Sequence, residues 1–216
     1  MTVAVILSGC GNRDGSELQE TLSLLLALDR RNIQYQCFAP KTSFKVYTYL
    51  DNSGETGEVR DLFAEAARIA RGNILDLADY NPADYDGLAL PGGMGAARNL
   101  STFASKGEEM TVLPLVEKAI LDTRKANKPI CAMCIAPIVL AKVLGPMGVK
   151  LTLGQPCDAS RVAEKLGAVQ VNCNPTDIAV DEKLKVVTTP AYMVASRISE
   201  IFDGADHMVE AFSKWL

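Results

Sequence analysis

Short apolar runs alternate with longer stretches of helical periodicity along the chain, and this alternation predicts strands and helices in turn. A strand over residues 3–7, a helix over 16–31 and a strand over 35–38 make the first such unit. Residues 58–71 place Val59, Leu62, Phe63, Ala66 and Ile69 on one stripe, the pattern of a helix lying on a sheet. A strand over 87–90 runs into Pro-Gly-Gly, and a helix over 112–126 leads to an apolar run at 130–133. A further helix over 135–144 is stopped by Gly145 and Pro146. Then come a strand at 149–153, a helix near 159–166, a strand at 169–171 and a hairpin turning at 181–184. Two helical stretches, 194–202 and 206–215, close the chain.

Strands that alternate with helices imply an α/β fold, a mostly parallel sheet covered on both faces with functional residues at the carboxyl ends of its strands. Three segments occupy such ends: SGCGNRDGSE at 8–17, LPGGMGAARN at 90–99 and the turn CIAP at 134–137. The chain of 216 residues falls within the range of one domain, shows no repeat or linker, and is read as a single domain over 1–216. Its formal charge of -4 and the lack of any basic run disfavour nucleic acid and anionic membrane as partners, since both demand a basic face. The apolar N-terminal segment has no basic flank before it and is far too short to span a bilayer. A cytoplasmic protein is expected, with its six cysteines free.

The CIAP turn holds the sharpest chemistry. A strand that passes into a helix through one residue displays that side chain at the sheet edge, at the positive end of the helix. Cys134 has this position, which favours thiolate over thiol; the alternative is a core cysteine at a strand end. Cys131 falls inside the strand run, which disfavours a redox pair, and neither a second CxxC nor a nearby histidine supports zinc. The single histidine, His207, lies in the last helical segment and reads as a surface or packing residue rather than a base. A carboxylate is the other candidate partner. Asp14 and Glu17 have the spacing of a capping box, which leaves Glu20 without a structural role. A helical wheel centred on Leu18, Leu22 and Leu25 nevertheless puts Glu17 nearer the apolar arc, so both acids stay open. The glycine-rich LPGGMGAARN lacks the lysine and spacing of a phosphate loop. It fits an oxyanion hole in which Gly92 and Gly93 act with Ile135, the residue after Cys134; a plain tight turn is the other reading.

SGCGNRDGSE, LPGGMGAARNLSTFA, KPICAMCIAP and VVTTPAYM follow one another over nearly the whole chain and together resemble the ElbB family of isoprenoid-biosynthesis proteins with an amidotransferase-like domain, in the ThiJ/PfpI superfamily. The resemblance implies a flavodoxin-like doubly wound sandwich of the class I glutamine amidotransferase type. It also implies a reactive cysteine at Cys134 contacted by Glu20; Glu17, Asn99 and Thr189 are expected as pocket residues. The implied activity is a glyoxalase that converts a 2-oxoaldehyde without cofactor or metal, alone or as part of a deglycase activity, and the implied assembly is a homo-oligomer. Alternatives are a cysteine-based redox or metabolic sensor linked to isoprenoid metabolism, and a glutaminase. Ile135 stands where many superfamily hydrolases carry histidine; Gln19 and Met94 stand where ElbB-like proteins commonly carry histidine and phenylalanine.

Overall fold

The computed structural model describes residues 1–51 and 54–216. The chain opens with β1 (Thr2–Ile6), α1 (Leu18–Arg30) and β2 (Gln34–Ala39), then passes through an antiparallel hairpin, β3 (Ser43–Tyr47) and β4 (Glu55–Asp61), into α2 (Leu62–Ile69) and β5 (Ile74–Asp76). The middle consists of β6 (Gly87–Leu90), the short helices α3 (Met94–Arg98) and α4 (Phe103–Lys106), α5 (Pro114–Lys125), β7 (Ile130–Met133) and α6 (Pro137–Leu144). Beyond it lie β8 (Lys150–Leu151), α7 (Asp158–Lys165), β9 (Val169–Gln170), the pair β10 (Ala179–Asp181) and β11 (Val186–Thr189), and finally α8 (Ile198–Ser213).

Among the described residues the main sheet has the order β10-β11-β7-β6-β1-β2-β5, with every pairing parallel except β10 against β11. From β1 the chain moves outward through α1 to β2, and from β6 it moves the opposite way through α5 to β7. Right-handed crossovers therefore put α1 and α5 on opposite faces, and the direction reverses between β1 and β6. Helix α8 joins α1 on its face. The central strands are buried from end to end: Val3, Ala4, Val5 and Ile6 in β1, Leu88, Ala89 and Leu90 in β6, and all of β7. Continuous apolar runs rather than alternation are what a two-sided cover demands, and each large side chain so buried contributes about 1.5–3 kcal/mol.

The fold is the doubly wound α/β architecture expected from the sequence, and two local expectations need correction. Residues 58–61 belong to β4, which among the described residues pairs with β3 in a separate two-stranded sheet; Val59 is 61% exposed, and the helical stripe starts at Leu62. The period-3.6 spacing of Val59 with Leu62 is coincidental, and the polar sequence of β4 hid the hairpin. The two closing helices are one: α8 runs unbroken from Ile198 to Ser213, and residues 194–197 lie before it. Gly204 does not break it because the helix packs too closely for a side chain there. A Cβ would lie 2.9 Å from Thr189 Oγ1 and 3.0 Å from Pro175 O. Cys131 is fully buried inside β7, where burial pushes its thiol far up, so it stands as core.

Replacing a mid-helix glycine by alanine ordinarily stabilises by about 1 kcal/mol. Gly204→Ala is expected to do the reverse, lowering stability by about 1–3 kcal/mol in denaturant unfolding through overpacking against Thr189. A stabilised variant would show that α8 has room to shift.

Candidate active site

The carboxyl ends of β1, β6 and β7 meet where the sheet reverses direction, the position at which such folds form their crevice. Cys134 follows β7 directly and has φ +60, a left-handed value that costs a non-glycine residue about 1–2 kcal/mol. Its backbone is held there: the Cys134 amide donates to Thr189 O at 3.0 Å, and the Ala136 amide turns back to Met133 O at 3.1 Å. The side chain is thereby thrust off the sheet edge, but it stays enclosed, with Cys134 only 8% exposed.

Glu20 arrives from the first turn of α1 and is fully buried. Its Oε1 accepts from the Tyr192 amide at 3.2 Å. Its Oε2 and the Cys134 sulfur meet across the space beside Gly92, where the carboxylate holds the thiol up and the thiol draws the carboxyl down. Gly92 makes the approach possible, since a Cβ there would sit 2.2 Å from Glu20 Oε2 and 2.3 Å from Cys134 Cβ. Burial pushes the Glu20 carboxyl up to about 8, against smaller lowering by Cys134 and the Tyr192 amide. Burial first, and then the adjacent Glu20, also hold the Cys134 thiol well above its ordinary range, while the backbone amides of Gly93 and Ile135 pull it down. This corrects the expectation of a thiolate made by the helix terminus alone. The sulfur and the carboxyl form one buried acid pair that keeps at least one proton at neutral pH.

The structure brings Cys134, Glu20, Glu17, Gly93 and Ile135 around one open cleft of about 510 Å³, together with Gln19, Met94, Asn12, Tyr192 and Met193. Glu17 is the N-cap of α1, its carboxylate accepting from the Glu20 amide at 2.7 Å, so capping rather than catalysis explains it. Asp14 is no part of that cap; it accepts from the Tyr47 amide and the Tyr49 hydroxyl. Gly92 supplies clearance, and its carbonyl accepts from the Glu17 amide at 3.0 Å, so the two amides aimed at the sulfur belong to Gly93 and Ile135. Asn99 and Thr189 are not cleft residues. Asn99 donates to Ser8 O at 2.9 Å and Asp14 O at 2.7 Å, pinning the first loop. Thr189 is fully buried and donates to Asp177 O, while its carbonyl seats the Cys134 amide. His207 is exposed on α8, bonded to Thr176 O.

Tyr192 is the residue the sequence reading passed over. Its amide holds Glu20 and its hydroxyl bonds Gln19, so it spans the mouth of the cleft. It stood in the quoted VVTTPAYM, but a tyrosine after Pro-Ala carries no signal that its main chain, rather than its ring, contacts the acid.

No family model matches the chain. It is 40% identical over 217 residues to the human glutamine amidotransferase-like class 1 domain-containing protein 3, mitochondrial, an alignment spanning 96% of this chain and 80% of that protein. A crystal structure of an isoprenoid biosynthesis protein with amidotransferase-like domain from Ehrlichia chaffeensis superposes with a TM-score of 0.92 at 33% identity, covering 100% of both chains. A ThiJ/PfpI domain protein from Brachyspira murdochii, at 10% identity and TM-score 0.58 over 99% of this chain and 96% of its own, shares the fold.

A left-handed φ favours glycine over any side chain. Cys134→Gly is therefore expected to be about 1 kcal/mol more stable than Cys134→Ala in denaturant unfolding, the reverse of the order at an ordinary buried site. A less stable glycine variant would mean that the elbow carries no strain.

Proposed function

The chain belongs to the ElbB-like family of isoprenoid-biosynthesis proteins with an amidotransferase-like domain, in the ThiJ/PfpI superfamily, and from that premise we propose that it is a cofactor-independent glyoxalase converting glyoxal to glycolate. The observation that carries this reading is the buried Glu20 carboxyl lying against the Cys134 sulfur in an open cleft, with two backbone amides aimed at the same atom.

The productive form of the pair holds one proton, placed on Glu20 when the sulfur is ionised. The Cys134 thiolate adds to one aldehyde carbon of glyoxal; an S–C bond forms and the carbonyl electron pair moves to oxygen. The Gly93 and Ile135 amides, relieved of the sulfur's charge, stand beside that oxygen. Glu20 gives its proton to the oxyanion and becomes a carboxylate. It then removes the hydrogen on the sulfur-bearing carbon as a proton and gives it to the neighbouring oxygen, forming an enediol, after which it carries the first carbon's hydroxyl proton to the neighbouring carbon. The first carbon is oxidised to a thioester and the second reduced to an alcohol, so no outside oxidant takes part. Water cleaves the thioester, its oxygen bonding to the acyl carbon as the C–S bond breaks; one of its protons returns to Glu20, the other leaves with solvent, and glycolate and the Cys134 thiolate are released. Gln19, which stands where ElbB-like proteins commonly carry histidine, and Tyr192 border the cleft, and neither enters these steps.

The remaining readings follow from the same residues. Free thiols throughout the chain fit the reducing cytoplasm, and no helix among the described residues is long and apolar enough to cross a membrane. Leu18, Leu22 and Leu26 are exposed at four-residue spacing on α1, beside exposed Ile198 of α8. This apolar strip supports a homo-oligomer formed by pairing of α1 faces.

Glycolate formation from glyoxal is expected to vanish in Cys134→Ala and to fall at least about 100-fold in Glu20→Gln, the ordinary worth of a general acid and base. Undiminished turnover in either variant rejects the assignment. In the wild type, kcat/KM should rise with pH toward about 8, because the doubly protonated pair is inert and loses its first proton as Glu20 titrates. A profile flat from pH 6 to 9 would contradict the coupled pair. For the assembly, Leu22→Glu is expected to yield a smaller species than wild type in light scattering; identical masses would remove the α1 face as the interface.

A further inference from the structure

Beyond the Cys134 cleft, Met94 also borders a second opening of about 260 Å³, lined by Arg13, Tyr47 and Arg98. The two openings are thus neighbours across one side chain. Met94 and Arg98 are the ends of α3, four residues apart, which puts their Cβ atoms about 5–6 Å apart on one helix face. The start of α3 is fixed by the Met94 amide on Asn12 O at 2.7 Å, so the spacing is set by the backbone.

Arg98 is unusual in what surrounds it. Its guanidinium stacks on the Tyr47 ring, 3.7 Å from the centroid. It makes neither a hydrogen bond nor an ion pair among the described residues, and its Nε is buried without an acceptor. Arg98 attracts the Glu55 carboxylate through space, but no carboxylate among the described residues bonds it. Glu55 is held by Lys45 at 2.8 Å and accepts from the Tyr47 hydroxyl at 3.1 Å, while Asp14 accepts from Tyr47 and Tyr49. Arg13, beside it, is bound to the carbonyls of Thr48 and Asp51. A guanidinium held flat by an aromatic ring, with its fork unsatisfied, matches an oxyanion bound through two parallel N–H bonds.

Resting on the reading of Cys134 as the nucleophile, we propose that Arg98 is the recognition residue for a carboxylate or phosphate at the far end of the carbonyl substrate, so that the substrate is an anionic aldehyde longer than glyoxal. The carbonyl lies at Cys134, the chain of the substrate passes over Met94, and the anion meets Arg98 against Tyr47. Glyoxal fills only the first part of this path.

Two measurements test the proposal. Inorganic phosphate and acetate, each titrated at constant ionic strength, should shift the Tyr47 ring resonances saturably in the wild type and in Cys134→Ala, and the anion that binds more tightly identifies the tail. Arg98→Met should weaken that binding at least tenfold, with Arg98→Lys intermediate because it keeps charge but loses the fork. No saturable shift with either anion, or equal binding by Arg98→Met, overturns the subsite; this arm needs no turnover and stands apart from the glyoxalase reading. The second measurement is the ratio of kcat/KM for 2-oxoaldehydes with a terminal carboxylate or phosphate to that for glyoxal. It should exceed one in the wild type and fall at least tenfold in Arg98→Met, and an unchanged ratio would detach Arg98 from the substrate.

Discussion

The structure depends on one close approach: a buried carboxyl and a buried sulfur pressed together across the space left by the missing side chain of Gly92. Neither group ionises there without cost, because burial opposes charge on both and each charge opposes the other. The fold offsets this by aiming donors at the pair, with the Tyr192 amide on Glu20 and the Gly93 and Ile135 amides on Cys134. The outcome is a pair that keeps both protons at neutral pH and loses the first as Glu20 titrates at about 8, which leaves the singly protonated form that addition to a carbonyl followed by proton transfer calls for.

Much of the surrounding chain serves to keep that approach rigid. The loop after β1 is stitched by Ser8 to Ser16, by Asn99 to the carbonyls of Ser8 and Asp14, and by the Gly95 amide to Gly15 O. Gly93 and Gly95 have no room for side chains, since a Cβ at either would strike the backbone of Gly15. The first loop and the PGG loop are thus packed backbone to backbone, and α1 can leave the loop only at the angle that delivers Glu20. Glu17, as N-cap, fixes where that helix begins. Residues that look functional by composition, such as Asn99 and Thr189, turn out to be the braces of this arrangement.

What the sequence made legible follows from which signals are local. β6 and β7 match their apolar runs residue for residue, because continuous hydrophobic segments bounded by turn residues have one reading in a covered parallel sheet. Cys134 was legible for the same reason, being the first residue past such a run. The β3–β4 hairpin was not, since its outer strand carries no apolar pattern and is defined by its partner. On α1 the wheel misled: Leu18 and Leu22 marked an apolar arc that faces outward, while Glu20 points into the core with Thr21, Leu24 and Leu28. Propensity and periodicity cannot tell an arc meant for the core from one left on the surface, and only the resemblance chose Glu20 over Glu17. The unbroken α8 likewise depends on a contact of Gly204 with a distant strand.

The central claim is that Glu20 and Cys134 titrate as one pair. The most direct measurement is the pH dependence of alkylation of Cys134 by iodoacetamide, followed by mass spectrometry, in wild type and Glu20→Gln. Because the carboxylate raises the thiol, its removal should move the alkylation curve of Cys134 to lower pH while the buried volume stays the same. An unchanged titration curve would mean that the two groups do not sense each other, and the account of the site would fail.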